Sequence, residues 1–111
     1  MSINRIIAGT GGAKLYFDVS PSNIELATIP QITLVKPNGT VIDKTATIGT
    51  QEIETDCENL LPNQYMFFTI VPTDFDADDE GDWTIYAQWD DNGFTTQHKI
   101  TTSDKLEVIA P

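Results

Sequence analysis

Cysteine and positive charge are both scarce in this chain. Cys57 is the only cysteine in 111 residues, which excludes an internal disulfide framework and a multi-cysteine zinc site. Six Lys and Arg residues stand against 17 Asp and Glu residues, and the resulting formal charge of −11 repels phosphate backbones and anionic lipids. Nucleic acids and membrane surfaces are therefore not expected as partners.

Long hydrophobic runs are also missing. The longest nearly apolar stretch covers residues 65–71, far short of the ~20 residues that span a bilayer. The N-terminus lacks the apolar segment of a signal peptide, so we expect a soluble protein that is made in the cytoplasm. A chain of this length, 40% hydrophobic, is expected to form one domain around one core.

Short runs of β-branched and aromatic residues, broken by Gly, Pro, Asn and Asp, replace any sustained helical period. The string KPNGT at residues 36–40 and the string DDNG at residues 90–93 predict hairpin turns. These patterns predict an all-β fold, an antiparallel β-sandwich of seven to eight strands. The main strands are expected at residues 13–19, 31–36, 41–48, 64–71, 82–89, 94–101 and 105–109.

The N-terminal segment precedes the first strongly alternating strand. Residues 1–12 are predicted to form an arm or an edge strand, and residues 13–111 the sandwich. The string GTGG at residues 9–12 lacks the Gly-Lys-Ser/Thr ending of a phosphate-binding loop and has no helix after it. It therefore predicts a bend or bulge.

The densest charged feature is an acidic run with six carboxylates between residues 74 and 82. Asp74, Asp76 and Asp78 match the first three ligand spacings of a calcium-binding EF-hand loop. The sixth position is Asp79 where the motif needs Gly, and the twelfth is Ile85 where it needs Glu. We expect a solvated loop, with the first three aspartates as calcium candidates, and no cofactor.

Other candidate chemistry is sparse. His98 and Cys57 are the only imidazole and the only thiol, and no nucleophile signature flanks them. No cleft is expected between the paired acids that a glycosidase would use, so we predict a protein that is not an enzyme. One alternative remains open, a carbohydrate-binding module that stacks sugars on exposed Trp89 or Tyr86, with or without calcium. Opposing it, Trp83 and Trp89 share one strand face and are expected in the core.

The string DEGDWTI at residues 79–85 resembles the D-x-G-x-Y-x-C entrance to strand F of immunoglobulin-like domains. Trp83 replaces the tyrosine and Ile85 replaces the cysteine. Because tryptophan has no hydroxyl, we expect the tyrosine-corner hydrogen bond to be absent. The resemblance implies an immunoglobulin-like form of the sandwich.

The order of motifs resembles small immunoglobulin-like domains of tailed-bacteriophage virions. These domains are similar to the N-terminal domains of baseplate upper proteins and to stand-alone head or tail accessory proteins. The resemblance covers about two thirds of the chain and implies a binding or assembly module. The matching segments are residues 32–41 (ITLVKPNGTV), 44–47 (KTAT), 75–87 (FDADDEGDWTIYA) and 105–109 (KLEVI).

The resemblance implies a non-enzymatic structural protein of a tailed-phage virion. Because the sequence stops at Pro111 without a coiled coil or receptor-binding region, we expect an accessory such as a capsid decoration protein or a neck or tail adaptor. It would be made in the host cytoplasm and be multimeric in the particle, bound to less acidic capsid or tail proteins. The docking residues are expected in the N-terminal segment and the edge strands. The N-terminal candidates are Ile3, Arg5, Ile6 and Ile7.

Overall fold

The computed structural model describes residues 5–54, 59–92 and 96–111. Within these ranges the chain forms β-strands and one short 3-10 helix (Ala77–Asp79), which confirms the predicted all-β fold. No helix in the described part of the chain is long and apolar enough to cross a membrane. The strands are β1 (Arg5–Ile7), β2 (Lys14–Asp18), β3 (Thr28–Val35), β4 (Val41–Thr45), β5 (Thr47–Ile48), β6 (Ile53–Glu54), β7 (Asn59–Leu60), β8 (Tyr65–Thr69), β9 (Gly81–Asn92), β10 (Thr96–Ile100) and β11 (Asp104–Ile109).

Two sheets face each other and enclose the core. The larger sheet has the order β1-β11-β9-β3-β4, and β10 pairs with the end of β9 that β11 leaves free. The smaller sheet has the order β2-β8-β5, and β6 and β7 form a separate two-stranded pair. All pairs are antiparallel except β1 with β11. Eleven strands are described where seven to eight were predicted. Three of them, β5, β6 and β7, have only two residues each, and the other eight agree with the predicted number.

Alternation along β9 builds much of the core. One face of β9 is fully buried against the smaller sheet, as its period of two predicts. The predicted return turn at residues 90–93 is wrong at its first three positions, since Asp90, Asp91 and Asn92 pair with β10 as part of the ladder. The buried residues on this face are Trp83, Ile85, Ala87 and Trp89.

The predicted hairpin at residues 36–40 forms, and its return strand then changes sheet. The Gly39 N–H donates to the Lys36 carbonyl at 2.9 Å, and Gly39 takes a φ of +91°, which glycine adopts without steric cost. Strand β4 pairs with β3 only as far as Thr45. Buried Ala46 donates its N–H to the Pro30 carbonyl, and β5 then pairs with β8 of the smaller sheet. The predicted single strand over residues 41–48 is therefore two strands.

An indole hydrogen bond closes the corner before β9. Trp83 Nε1 donates to the Asp79 carbonyl at 2.7 Å, and the Trp83 ring packs 5.0 Å from that of Phe75 between centroids. Trp83 has no hydroxyl for a tyrosine-corner bond, and its indole N–H instead reaches the backbone four residues upstream, a contact that was not predicted. Gly81 holds the turn at a φ of +131° beside Pro37.

Candidate functional site

The N-terminal segment is an edge strand in the residues that the structure describes. β1 pairs in parallel with β11 and aligns Ile6 with Val108. Ile6 is only 7% exposed and belongs to the core, so its side chain is not a docking residue and the hypothesis is corrected at that position. Ile3 lies outside the described residues. Arg5 and Ile7 remain as exposed candidates.

The outer side of β1 pairs with no other strand in the part of the chain that the structure describes. The Ala8 N–H donates to the Ile109 carbonyl at 2.9 Å, and alternate residues of a parallel ladder face the partner strand. The N–H groups of Arg5 and Ile7 therefore point away from β11. The Ile7 carbonyl accepts from the N–H and hydroxyl of Thr10 at 3.2 and 2.6 Å, and the Ile7 side chain is 51% exposed.

The three calcium candidates do not converge on a common site. Asp74 accepts from Lys44 Nζ at 2.7 Å through one oxygen and from the Val71 N–H at 2.9 Å through the other. Asp76 accepts from the N–H of Asp78 at 3.2 Å and begins the 3-10 helix. The residues that the structure describes contain no group of three His, Cys, Asp or Glu side chains that could hold a metal ion. Asp74 and Asp76 therefore use carboxylate oxygens within the fold, and calcium binding by the three aspartates stays a prediction.

The acidic run is also anchored to the body by a second lysine. Lys36 Nζ contacts Asp79 Oδ2 at 2.7 Å and lies 5.8 Å from the centre of the Trp83 ring. Both side chains of this ion pair are largely buried. Lys36 and Lys44 thus anchor Asp79 and Asp74 at the corner before β9, while Asp76, Asp78 and Glu80 are exposed as in the predicted solvated loop.

Of the two residues considered for nucleophilic catalysis, the structure describes only His98. His98 lies on β10, with Nδ1 2.8 Å from Asp90 Oδ1 and Nε2 3.0 Å from Gln88 Oε1. The ring is half exposed on the sheet surface, as its place in an alternating strand predicts. Cys57 lies outside the described residues.

The tryptophan that was considered for sugar stacking is part of the core. Trp89 is 5% exposed, so a platform on Trp89 was a wrong prediction, whereas the competing interpretation of Trp83 and Trp89 as core residues is confirmed. Tyr86 is half buried on the opposite face of β9. A cluster of aromatic rings, with Tyr16 and Phe67 also half buried, lies on the other sheet.

Three aromatic rings cluster on the outer face of the smaller sheet. The Tyr16 centroid lies 5.6 Å from that of Phe67 and 5.9 Å from that of Tyr65. Tyr65 is buried beneath the segment after β5, and its hydroxyl donates to the Gln51 carbonyl at 2.7 Å. Burial, and to a smaller extent the neighbouring Tyr16 phenol, raises the pKa of Tyr65 above its ordinary value of 10.0.

These rings form one wall of a hollow of about 240 Å³, which we call the aromatic groove. A second and more open hollow of about 440 Å³ adjoins it at Thr47 and Phe67. Residues 64–71, apolar on both faces, were the one sequence signal for this surface, since they indicate a strand covered on both sides. The groove is lined by Lys14, Tyr16, Thr47, Ile48, Gly49, Thr50, Gln51, Ile53, Tyr65 and Phe67.

Comparison with known proteins adds no relative. No family model, no curated protein and no solved structure matches this chain. Any function proposed for this protein therefore depends on its own motifs and geometry.

Proposed function

We propose that this protein is a non-enzymatic structural component of a tailed-phage virion, which docks on a larger protein lattice as a capsid decoration protein or a neck or tail adaptor. The observation that carries the docking step is the outer side of β1, which pairs with no strand among the residues that the structure describes and carries exposed Ile7. The virion setting is carried by the order of the motifs in the sequence.

The strand order supports an immunoglobulin-like form of the sandwich. The orders β2-β8-β5 and β11-β9-β3-β4 match the orders B-E-D and G-F-C-C′ of variable-type immunoglobulin domains. The Trp83 hydrogen bond lies at the start of β9, where those domains place their tyrosine corner. Both features agree with the resemblance on which the virion proposal depends.

The β1 edge carries fewer charged side chains than the β4 and β2 edges. Natural proteins blunt an edge with charged side chains, and β4 carries Asp43 and Lys44 while β2 carries Lys14 and Asp18. On β1 the exposed residues are Arg5 and Ile7, and the Arg5 contact with Glu107 is a 3.6 Å surface ion pair of small energetic value.

An incoming strand can add to this edge. Main-chain hydrogen bonds to the outward-facing N–H groups of β1 would supply affinity, and an apolar contact on Ile7 would fix the register. The charge of −11 keeps the unassembled protein apart from its copies and directs it to a less acidic partner. The docking partner is therefore a virion protein with a strand to add and a neutral or basic surface beside it.

The edge is tested by two matched substitutions. Ile7→Asp places a charge on the proposed interface, whereas Val41→Asp places the same charge on exposed β4 at the opposite edge of the sheet. We expect Ile7→Asp to reduce co-sedimentation with particles of a phage that encodes this protein by at least about tenfold, because a charge is desolvated without a partner. We expect Val41→Asp to bind like the wild type.

Two results would count against this edge. Equal binding by both variants would mean that β1 is not the interface, and loss with Val41→Asp alone would move the interface to β4. Near-ultraviolet circular dichroism of each variant establishes that the sandwich is intact, since both side chains are exposed in the free protein.

A further inference from the structure

Most of the positive charge in this protein is neutralised by acids. Among the residues that the structure describes, Arg5, Lys36, Lys44 and Lys105 each lie within ion-pair distance of a carboxylate. Lys14 has no such partner in the same ranges, although the chain contains 17 acids. Its ammonium group instead lies 5.1 Å from the centre of the Phe67 ring.

Lys14 lies where the smaller sheet combines aromatic rings with uncharged polar groups. Among the described residues, the lining of the aromatic groove contains no Asp or Glu, and its formal charge there is that of the Lys14 ammonium group. The Tyr65 hydroxyl donates a hydrogen bond to the Gln51 carbonyl and is therefore not available to a ligand. The hydroxyls of Tyr16, Thr47 and Thr50 make no hydrogen bond within the described residues, which leaves them available to a ligand.

This set of groups fits a sugar with a carboxylate. The C–H face of a pyranose packs on aromatic rings, its hydroxyls need donors and acceptors, and its carboxylate needs a cation. We propose that the aromatic groove binds an acidic oligosaccharide, with a sugar ring against Tyr16 and Phe67 and its carboxylate on Lys14. This site is separate from the β1 edge and does not depend on the virion proposal.

The protein's charge limits the ligand to a lightly charged glycan. A polyanion such as a nucleic acid would meet the whole field of −11, whereas a single carboxylate at Lys14 responds mainly to charges within the Debye length of about 8 Å. The second hollow continues from the groove at Thr47 and Phe67, so a chain of sugars has room beyond the first ring.

The test uses acidic probes beside their neutral counterparts. Digalacturonate is compared with galactobiose, and sialyllactose with lactose, in titrations followed by NMR of the intact protein. We expect at least one acidic probe to shift the ring signals of Tyr16 and Phe67 at millimolar concentration. We expect its neutral counterpart to bind about tenfold more weakly, which is the scale of one charge-assisted hydrogen bond.

Two lysine variants distinguish a direct contact with Lys14 in the groove from an effect of the protein's net charge. Lys14→Gln and Lys99→Gln remove the same charge, and Lys99 is an exposed residue of β10 that also lacks an ion pair in the described ranges. We expect Lys14→Gln to weaken binding of the acidic probe about tenfold and Lys99→Gln to leave its binding unchanged. Tyr16→Ser should abolish binding of both probes of a pair, and circular dichroism checks its fold.

The proposal is overturned if no acidic probe moves the groove signals at millimolar concentration. It is equally overturned if both lysine variants weaken binding alike, because the effect would then come from net charge. Groove signals that respond to phage particles and to none of the sugars would identify a protein ligand and also overturn it.

Discussion

Replacing Trp83 with Phe is expected to lower the free energy of unfolding by about 3 kcal/mol. Trp83 is fully buried, so the smaller ring leaves a cavity beside Phe75. The substitution also removes the 2.7 Å hydrogen bond from Nε1 and leaves the Asp79 carbonyl without that donor inside the fold. Chemical denaturation measures the loss, which corresponds to about 10–20 °C in melting temperature for a domain of this size.

Trp89→Phe is the matched control for the hydrogen bond. Trp89 is also buried on the same face of β9, but its indole N–H makes no hydrogen bond within the described residues. We expect Trp89→Phe to cost about 1–2 kcal/mol, from lost packing alone. Trp83→Tyr should cost less than Trp83→Phe, because a phenol can bond back to the corner backbone. Equal losses for Trp83→Phe and Trp89→Phe would show that the corner hydrogen bond contributes nothing measurable.

Gly49→Ala is expected to destabilise the protein by about 2–4 kcal/mol, although it adds only one methyl group. A Cβ on Gly49 would overlap the ring of Tyr65. The segment cannot move aside easily, because the Gly49 N–H donates to the Tyr65 carbonyl at 3.1 Å and the Gly49 carbonyl accepts from Asn63 at 2.8 Å. Tyr65 is itself held by its hydrogen bond to Gln51.

Two comparisons isolate the steric cause at Gly49. Gly9 has open space where its Cβ would lie but a φ of +84°, so Gly9→Ala should cost only about 1–2 kcal/mol for backbone conformation. In a Tyr65→Leu background the cost of Gly49→Ala should fall by at least about 1 kcal/mol, because the ring is gone. An unchanged cost in that background would contradict the overlap with Tyr65.

Local patterns predicted the parts of the fold in which one face is buried and the turns are short. Alternation along β9 placed Trp83 and Trp89 in the core, and the KPNGT string placed the hairpin between β3 and β4. Such signals work because a period of two and a residue with positive φ are properties of a few consecutive residues.

Features that depend on distant partners were missed. The burial of Ile6 follows from its pairing with β11, about 100 residues later in the chain, and the sheet change after Ala46 follows from the pairing of β5 with β8, about 20 residues later. Two carboxylates of the acidic run looked solvated because their lysine partners, Lys36 and Lys44, lie 30 to 43 residues away. No local pattern records these contacts.

The aromatic groove combines a feature that a local pattern predicted with contacts between distant residues that it could not predict. The apolar character of residues 64–71 on both faces predicted a central strand or one covered on both sides. β8 is the central strand of its sheet, between β2 and β5. It could not indicate that the cover over Tyr65 comes from residues 49–51, or that Tyr16 of another strand completes the cluster. Alternation already favoured a buried Trp89, but no local signal placed Tyr16 beside Phe67 on the other sheet.

The composition of purified virions tests the central claim most directly. If the proposed virion role is correct, particles of a phage that encodes this protein, banded in a density gradient, contain it at a fixed copy ratio to one capsid or tail protein. Quantitative mass spectrometry of the banded particles measures that ratio. Complete recovery of the protein in the soluble fraction, with none on the particles, would contradict the account.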